Sequence, residues 1–224
     1  MQITSVPLQN SYEDPLLYLP CSEILKYGKG EVIYGPEKPP ENVYLVIDGT
    51  VKLCRQASGG RPLVVDIYQA EEFFGESAFV GAAEQCEETT ALKPTTLMSW
   101  SVNELEEVIM KRPRLGIALI QMIVRRSIGF KYRIESFALE NSAQRLVRAL
   151  LTLSERFGAP EGDGSTSFLQ FSHELLAQYV GTAREVVTAH MGQFRKQGYI
   201  RYSRYSRKAI YLKRDAMEQW LHNG

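Results

Sequence analysis

Residues 171–198, FSHELLAQYVGTAREVVTAHMGQFRKQG, restrict what this chain can fold into more than any other stretch. Leu175, Leu176, Tyr179 and Val180 recur at helical spacing behind Ser172, a good N-cap, and Gly181 interrupts them. Thr182 is placed to cap a second helix, with Glu185 three residues on as in a capping box, and Gly198 stands where a left-handed closing residue is wanted. Two helices joined by a tight turn make a helix-turn-helix.

At 100° per residue the second helix gathers Ala183, Val186, Val187, His190, Met191 and Phe194 on one side. Arg184, Glu185, Thr188, Ala189, Gly192, Arg195 and Lys196 occupy the other. That polar side has the chemistry of a major-groove reader. Arg184 can meet O6 and N7 of a guanine, Glu185 a cytosine amino group, and Thr188 a base edge or a methyl, while Ala189 and Gly192 leave room for close approach. A purely structural capping box at Glu185 and an ordinary weak point at Gly192 are the duller alternatives. His190 falls on the packed side and reads as a core histidine.

The formal net charge is zero, yet residues 1–139 hold 14 Lys and Arg against 18 Asp and Glu, and residues 140–224 hold 12 against 8. The basic excess is local. Arg195, Lys196, Arg201, Arg204, Arg207, Lys208, Lys213 and Arg214 follow one another with no acidic residue between 195 and 214. With Ser172 and Thr182 at the helix starts, Arg195, Lys196, Arg201, Arg204, Arg207 and Lys208 are the candidate phosphate contacts.

The N-terminus lacks a basic region before its short apolar run at 16–19, so it does not read as a signal peptide, and no stretch of about 18 apolar residues occurs. A soluble, cytoplasmic protein with no membrane partner is expected. Cys21, Cys54 and Cys86 are too few and too far apart for a disulfide framework or a CxxC site. Carboxylates around Cys86 disfavour its thiolate.

From 29 to about 100, β-rich runs alternate with turn residues: EVIY, VYLVI, TVKLC and PLVVDIY, then a β stretch at 89–100. This suggests a small antiparallel barrel or sandwich, with Asp48-Gly49 as the strongest hairpin signal. FFGES at 73–77 points to a single helical turn with exposed amides. A short helix from 102 to 109, capped by Ser101 or Asn103, precedes a long helix from Pro113 to about Ala138. Along the long helix Ile120, Ile123, Ser127, Phe130, Ile134 and Phe137 repeat at spacings of three and four, the pattern of a helix that pairs with another copy or packs on its own barrel. Residues 138–142 read as a hinge. A helix to Phe157, a Gly, Ser and acid-rich loop at 159–167, two strands around a basic turn near 204–207 and a last helix from 215 to 221 complete the chain.

The order of these parts resembles the bacterial regulators related to cyclic AMP receptor protein and the fumarate and nitrate reduction regulator, the Crp/Fnr family: GTVKL at 49–53, FFGE at 73–76, a long helix, then SHELLAQYVGTAREVV from Ser172. The resemblance implies an α+β chain: a cupin-like antiparallel barrel of the cyclic-nucleotide-binding type at 1–110, a dimerisation helix at 111–138 and a winged helix-turn-helix at 139–224. It further implies a homodimer that binds double-stranded DNA. Arg184 and Glu185 match the family's base-reading pair, whereas Thr188 and Ala189 stand where relatives carry further readers, so a half-site related to GTGA but altered is expected. The 159–167 loop lies where some relatives touch RNA polymerase, a positional match only.

The sensor departs from the cyclic-nucleotide branch. Gly75, Glu76 and Ser77 match its effector segment, but 75–92 contains no Lys or Arg, and Phe130 and Lys131 replace its adenine-contacting pair. Cyclic AMP is not expected as the effector. Three cysteines are too few for that family's iron-sulfur cluster, and His173, His190 and His222 all lie outside the barrel, which argues against haem and a metal-dependent cupin enzyme. No nucleophile with its base and no paired catalytic carboxylates can be read, so the chain is not read as an enzyme. The alternative to a DNA-binding regulator is a ligand-binding barrel whose C-terminal module contacts proteins.

Overall fold

The computed structural model describes residues 13–56, 60, 62–81, 87–203 and 209–223. Eight strands form two four-stranded antiparallel sheets: β1 (Glu23–Tyr27), β2 (Val32–Tyr34), β3 (Asn42–Asp48), β4 (Thr50–Arg55), β5 (Leu63–Gln69), β6 (Phe73–Phe74), β7 (Glu87–Ala91) and β8 (Thr95–Ser101). One sheet runs β1-β8-β3-β6, the other β2-β7-β4-β5. Strand β3 is buried on both faces, which is why VYLVI shows no alternation: Tyr44 and Val46 enter the barrel, while Val43 and Leu45 pack with Trp100, Leu105 and Leu115 beneath the helices.

Asp48-Gly49 is not a hairpin. Strand β3 pairs with β8 and β6, and β4 with β5 and β7, so the chain changes sheet at this dipeptide. The cause is a close approach of two corners: Gly49 has φ +115°, and a Cβ there would lie 2.3 Å from Thr95 Oγ1. The same crossing divides the single β stretch expected at 89–100 into β7 and β8. Strand β1 lies ahead of the expected start of the barrel.

The interior of the barrel carries a stack of its own rings. Tyr34, Tyr44, Tyr68 and Phe74 are buried and stack with centroids 5.1 to 6.2 Å apart. Burial pushes the Tyr44 phenol up to about 12.

Ser101 opens α1 (Val102–Lys111) with a complete capping box to Glu104. Helix α2 (Arg114–Leu139) is the long helix, and α3 (Ser142–Phe157) follows after only Glu140 and Asn141. Asn141 caps α3 in a capping box with Gln144, so the hinge is confined to two residues. The expected loop at 159–167 is partly structured: β9 (Ala159–Pro160) and β10 (Thr166–Leu169) pair with each other, and β10 pairs with β12 (Ala209–Leu212), which pairs with β11 (Ile200–Tyr202). With α4 (His173–Val180), α5 (Arg184–Lys196) and α6 (Arg214–Asn223) this sheet makes a winged helix-turn-helix.

The two halves share one core. Cys54, Val64 and Ile67 of the barrel pack with the buried residues of α3, α4 and α5. Strand β5 is an edge strand with an extra residue at Val65, since Leu53 faces Asp66 while Cys54 faces Val64. Arginines from outside the barrel satisfy its carbonyls: Arg133 of α2 donates to Val64 and Val65, and Arg156 of α3 donates to Ile67 at 2.8 Å. Arg156 also pairs with Asp66 at 2.6 Å and Glu72 at 2.9 Å, and Arg126 of α2 lies 3.8 Å from the other oxygen of Asp66. Replacing buried Asp66 by Ala is expected to strand these charges and cost about 3 kcal/mol in urea denaturation followed by circular dichroism. Lys111→Ala, which breaks an exposed pair with Glu107, should change stability by less than about 0.5 kcal/mol.

Candidate nucleic-acid interface and effector region

Ser172 Oγ accepts from the Leu175 amide at 3.1 Å and starts α4 as the sequence predicts. The helix ends at Gly181 in the left-handed region, φ +65°. Thr182 does not cap the next helix. Its amide donates to Ala177 O at 3.0 Å and thereby closes α4; α5 begins two residues later with Ala183 in the cap position and no side-chain cap. The capping-box explanation of Glu185 falls with it. Leu175, Leu176, Tyr179 and Val180 pack with Val187, Met191 and Phe194, which fixes the angle between the two helices.

The solvent side of α5 carries Arg184, Glu185, Thr188, Ala189, Arg195 and Lys196 exposed, with Gly192 half-buried and open above its Cα. Thr188 is less free than the sequence suggests. Its hydroxyl donates to Arg184 O at 2.9 Å, so it can only accept from Nδ1 of His173, 2.9 Å away, which sets the imidazole tautomer. Burial and the neighbouring Arg184 hold His173 below the usual imidazole range. His190 is half-buried, stacks on Phe194 and contacts Ser142 Oγ through Nε2 at 3.1 Å; it is a packed histidine with a polar link to the start of α3.

The wing strands are present, but Arg204, Arg207 and Lys208 lie outside the described residues. Arg201 is engaged: it pairs with Asp163 at 2.8 Å and stacks on Tyr211 at 3.6 Å. At this exposure the pair weakens rather than cancels its attraction for a phosphate.

The residues expected to hold an effector do not come together. Gly75 is left-handed, φ +87°, and Glu76 opens a 3-10 turn, Glu76–Val80, as FFGES predicts. Arg126 from α2 then bonds Glu76 at 2.5 Å and Phe73 O at 2.5 Å, and lies 4.9 Å from the Tyr68 ring centroid. Burial would lower its pKa, but Tyr68, Glu76 and Asp66 outweigh this and hold the guanidinium charged. Phe130 instead lines, with Arg126, a cavity whose lining does not include Gly75, Glu76, Ser77 or Lys131. Sequence reasoning missed Arg126, because an arginine on a long helix carries no signal of what it will face.

Most of the expected pairing stripe on α2 lies at the surface. Ile120, Ile123, Ser127 and Ile134 are exposed, and Ile117, Val124 and Ile128 join them in one broad apolar face. Phe130 is half-buried, and Phe137, though partly exposed, packs at Gly181, where a Cβ would lie 2.7 Å from its Cε1. Cys21 is exposed, Cys54 is buried with its thiol pushed up by burial, and Cys86 lies outside the described residues. Among the described residues there is no cluster of His, Cys, Asp and Glu fit for a metal, and no helix long and apolar enough to cross a membrane.

Residues 24–112 match the cyclic nucleotide-binding domain, and residues 144–220 match the Crp-like helix-turn-helix domain. The chain is 29% identical to the global nitrogen regulator of Synechococcus elongatus over 80% of its length and 81% of the relative. It is 30% identical to the transcriptional regulator SdrP of Thermus thermophilus, over 80% and 85%. A solved CRP/FNR family transcriptional regulator from Thermus thermophilus superposes with a TM-score of 0.68 at 27% identity, over 90% of this chain and 99% of that one.

Gly181→Ala is expected to lose about 1 to 2 kcal/mol in thermal denaturation, since the left-handed backbone and the Phe137 ring both oppose a Cβ. Gly192→Ala, in open space within a helix, should instead gain up to about 1 kcal/mol.

Proposed function

The chain belongs to the Crp/Fnr family of transcription regulators, and we propose that it acts as a cytoplasmic homodimer that reads an inverted-repeat operator with half-sites related to GTGA. The observation that carries this reading is the division of α5: Val187, Met191 and Phe194 are buried, while Arg184, Glu185 and Ala189 stand free on the opposite side at the N-terminal end. A recognition helix in the major groove meets base edges with its first turns. Arg184 reads a guanine and Glu185 a cytosine; the Thr188 hydroxyl is already bonded, so its methyl is its means of contact with the bases. Exposed Arg195 and Lys196, with the basic wing, meet the phosphates.

Pairing through α2 is supported by its broad exposed face of Ile117, Ile120, Val124, Ile128 and Ile134. Two-fold pairing there sets two recognition helices roughly 34 Å apart, one turn of B-DNA. Cyclic AMP is not the effector in this reading: residues 75–92 offer a phosphate no Lys or Arg, and Glu76 is already paired with Arg126. RNA polymerase is a further proposed partner at the β9–β10 turn.

Fluorescence anisotropy near physiological salt is expected to show binding to an inverted GTGA repeat at least about 10³-fold tighter than to a scrambled duplex. Arg184→Ala should abolish that preference while leaving the melting temperature unchanged; equal binding by the unaltered protein to both duplexes, with or without effectors, would overturn the operator assignment. In sedimentation velocity, Ile120→Asp combined with Ile134→Asp should convert a dimer to a monomer, and a dimer that persists would move the interface off α2.

A further inference from the structure

A cavity of about 670 Å³ opens where the barrel, α2 and the winged domain meet. Its size suits a small organic molecule, for which sites of roughly 300 to 1,000 Å³ are usual. Val65, Phe130 and Val180 give it apolar walls, and five carboxylates also line it, of which Glu13, Asp66 and Glu72 are paired with arginines. Its charged groups are unequal in their partners. Arg126 has Glu76, Arg148 has Glu140, and Arg156 has Asp66 and Glu72. Arg133 and Arg145 differ: their hydrogen bonds go to backbone carbonyls alone.

Arg133 donates to Val64, Val65 and Tyr179, and Arg145 donates to Val180 at 3.0 Å and to Glu140 O at 2.9 Å. Both guanidinium groups lie by one ring, Phe137, at 5.5 and 5.6 Å from its centroid. Carbonyls satisfy N–H donors but do not cancel charge, and Asp66 is already shared by Arg126 and Arg156. Burial, with Arg156 nearby, draws Arg133 below the usual guanidinium range, although Tyr179 and Asp66 oppose this. Two half-buried cations that hydrogen-bond no carboxylate, with Glu140 and Asp66 acting on them only through space, and that face a cavity with an apolar portion, are complementary to an anion that has an apolar body.

We propose that this cavity binds a small organic monocarboxylate, its carboxylate between Arg133 and Arg145 beside the Phe137 ring and its apolar part against Val65, Phe130 and Val180. The ligand touches the barrel, the long helix and the winged domain together, so it favours the arrangement in which they meet. The binding half of the inference stands without the DNA reading; only its effect on operator affinity rests on that reading.

The test is isothermal titration of the full chain, without DNA, with octanoate, phenylacetate and their neutral amides. At least one acid should bind once per chain with a sub-millimolar Kd, and its amide should bind about tenfold more weakly or worse. Arg145→Gln should weaken the acid about tenfold or more, and Arg145→Lys, which keeps the charge, should recover part of it. If Arg145→Gln does not fold, the acid-to-amide ratio and Arg145→Lys still decide. Failure of both acids to bind below about 5 mM, equal binding of acid and amide, or indifference to Arg145→Gln would overturn the assignment. Anisotropy on the operator duplex with and without the acid reads the coupling separately, so loss of DNA binding and loss of ligand binding are told apart.

Discussion

The structure hangs on the carboxylate of Asp66. It sits on an edge strand, almost fully buried, and is held by Arg156 from α3 on one oxygen with Arg126 of α2 beside the other. The bulge at Val65 places it there and leaves neighbouring carbonyls of β5 without strand partners, and Arg133 and Arg156 supply the missing donors. A sheet edge that would otherwise invite another strand is thus covered by side chains from two other elements. The cost of burying these ions is met only while all partners are present, so the attachment of the winged domain to the barrel is specific in geometry more than strong in sum.

The features that local sequence chemistry governs were legible. Ser172, Gly181 and Gly198 mark the ends of helices because only short polar caps and a residue tolerant of positive φ serve there, and FFGES announces its turn for the same reason. What failed was whatever depended on a second segment. Asp48-Gly49 has the chemistry of a hairpin turn, and only the approach of Thr95, which bonds Thr50 from 45 residues on, makes it a corner between sheets. Thr182 and Ala183 compete for one cap, and the outcome is decided by the amide of Thr182 closing α4. Arg126, Arg133 and Arg156 read as ordinary helical arginines, because nothing in a helix period distinguishes a solvated guanidinium from one that reaches across to β5.

The ring stack in the barrel follows from the same limitation. Tyr34, Tyr44, Tyr68 and Phe74 lie on four different strands, so their stacking is invisible until the two sheets face one another. Once stacked, with Arg126 beside Tyr68, they form one buried cluster with Ile33, Val46, Val51 and Leu97. The match to the cyclic nucleotide-binding domain therefore comes with a core of stacked rings that no single strand announces.

Movement at Glu140–Asn141 would divide the polar contacts around α3 into two classes. Within the winged domain, Arg145 holds Val180 O at the end of α4, and Ser142 meets His190 on α5, so α3, α4 and α5 turn as one body around their shared core. Across the junction, Arg133 reaches Tyr179 O and Arg156 reaches Asp66 and Glu72, and these bonds must break for that body to move. Arg145 belongs to both, since it also holds Glu140 O in the hinge itself. A charge introduced beside Arg133 and Arg145 acts on the Tyr179 link across the junction and on Arg145, which spans both classes, so it can shift the placement of α5 without touching its reading face.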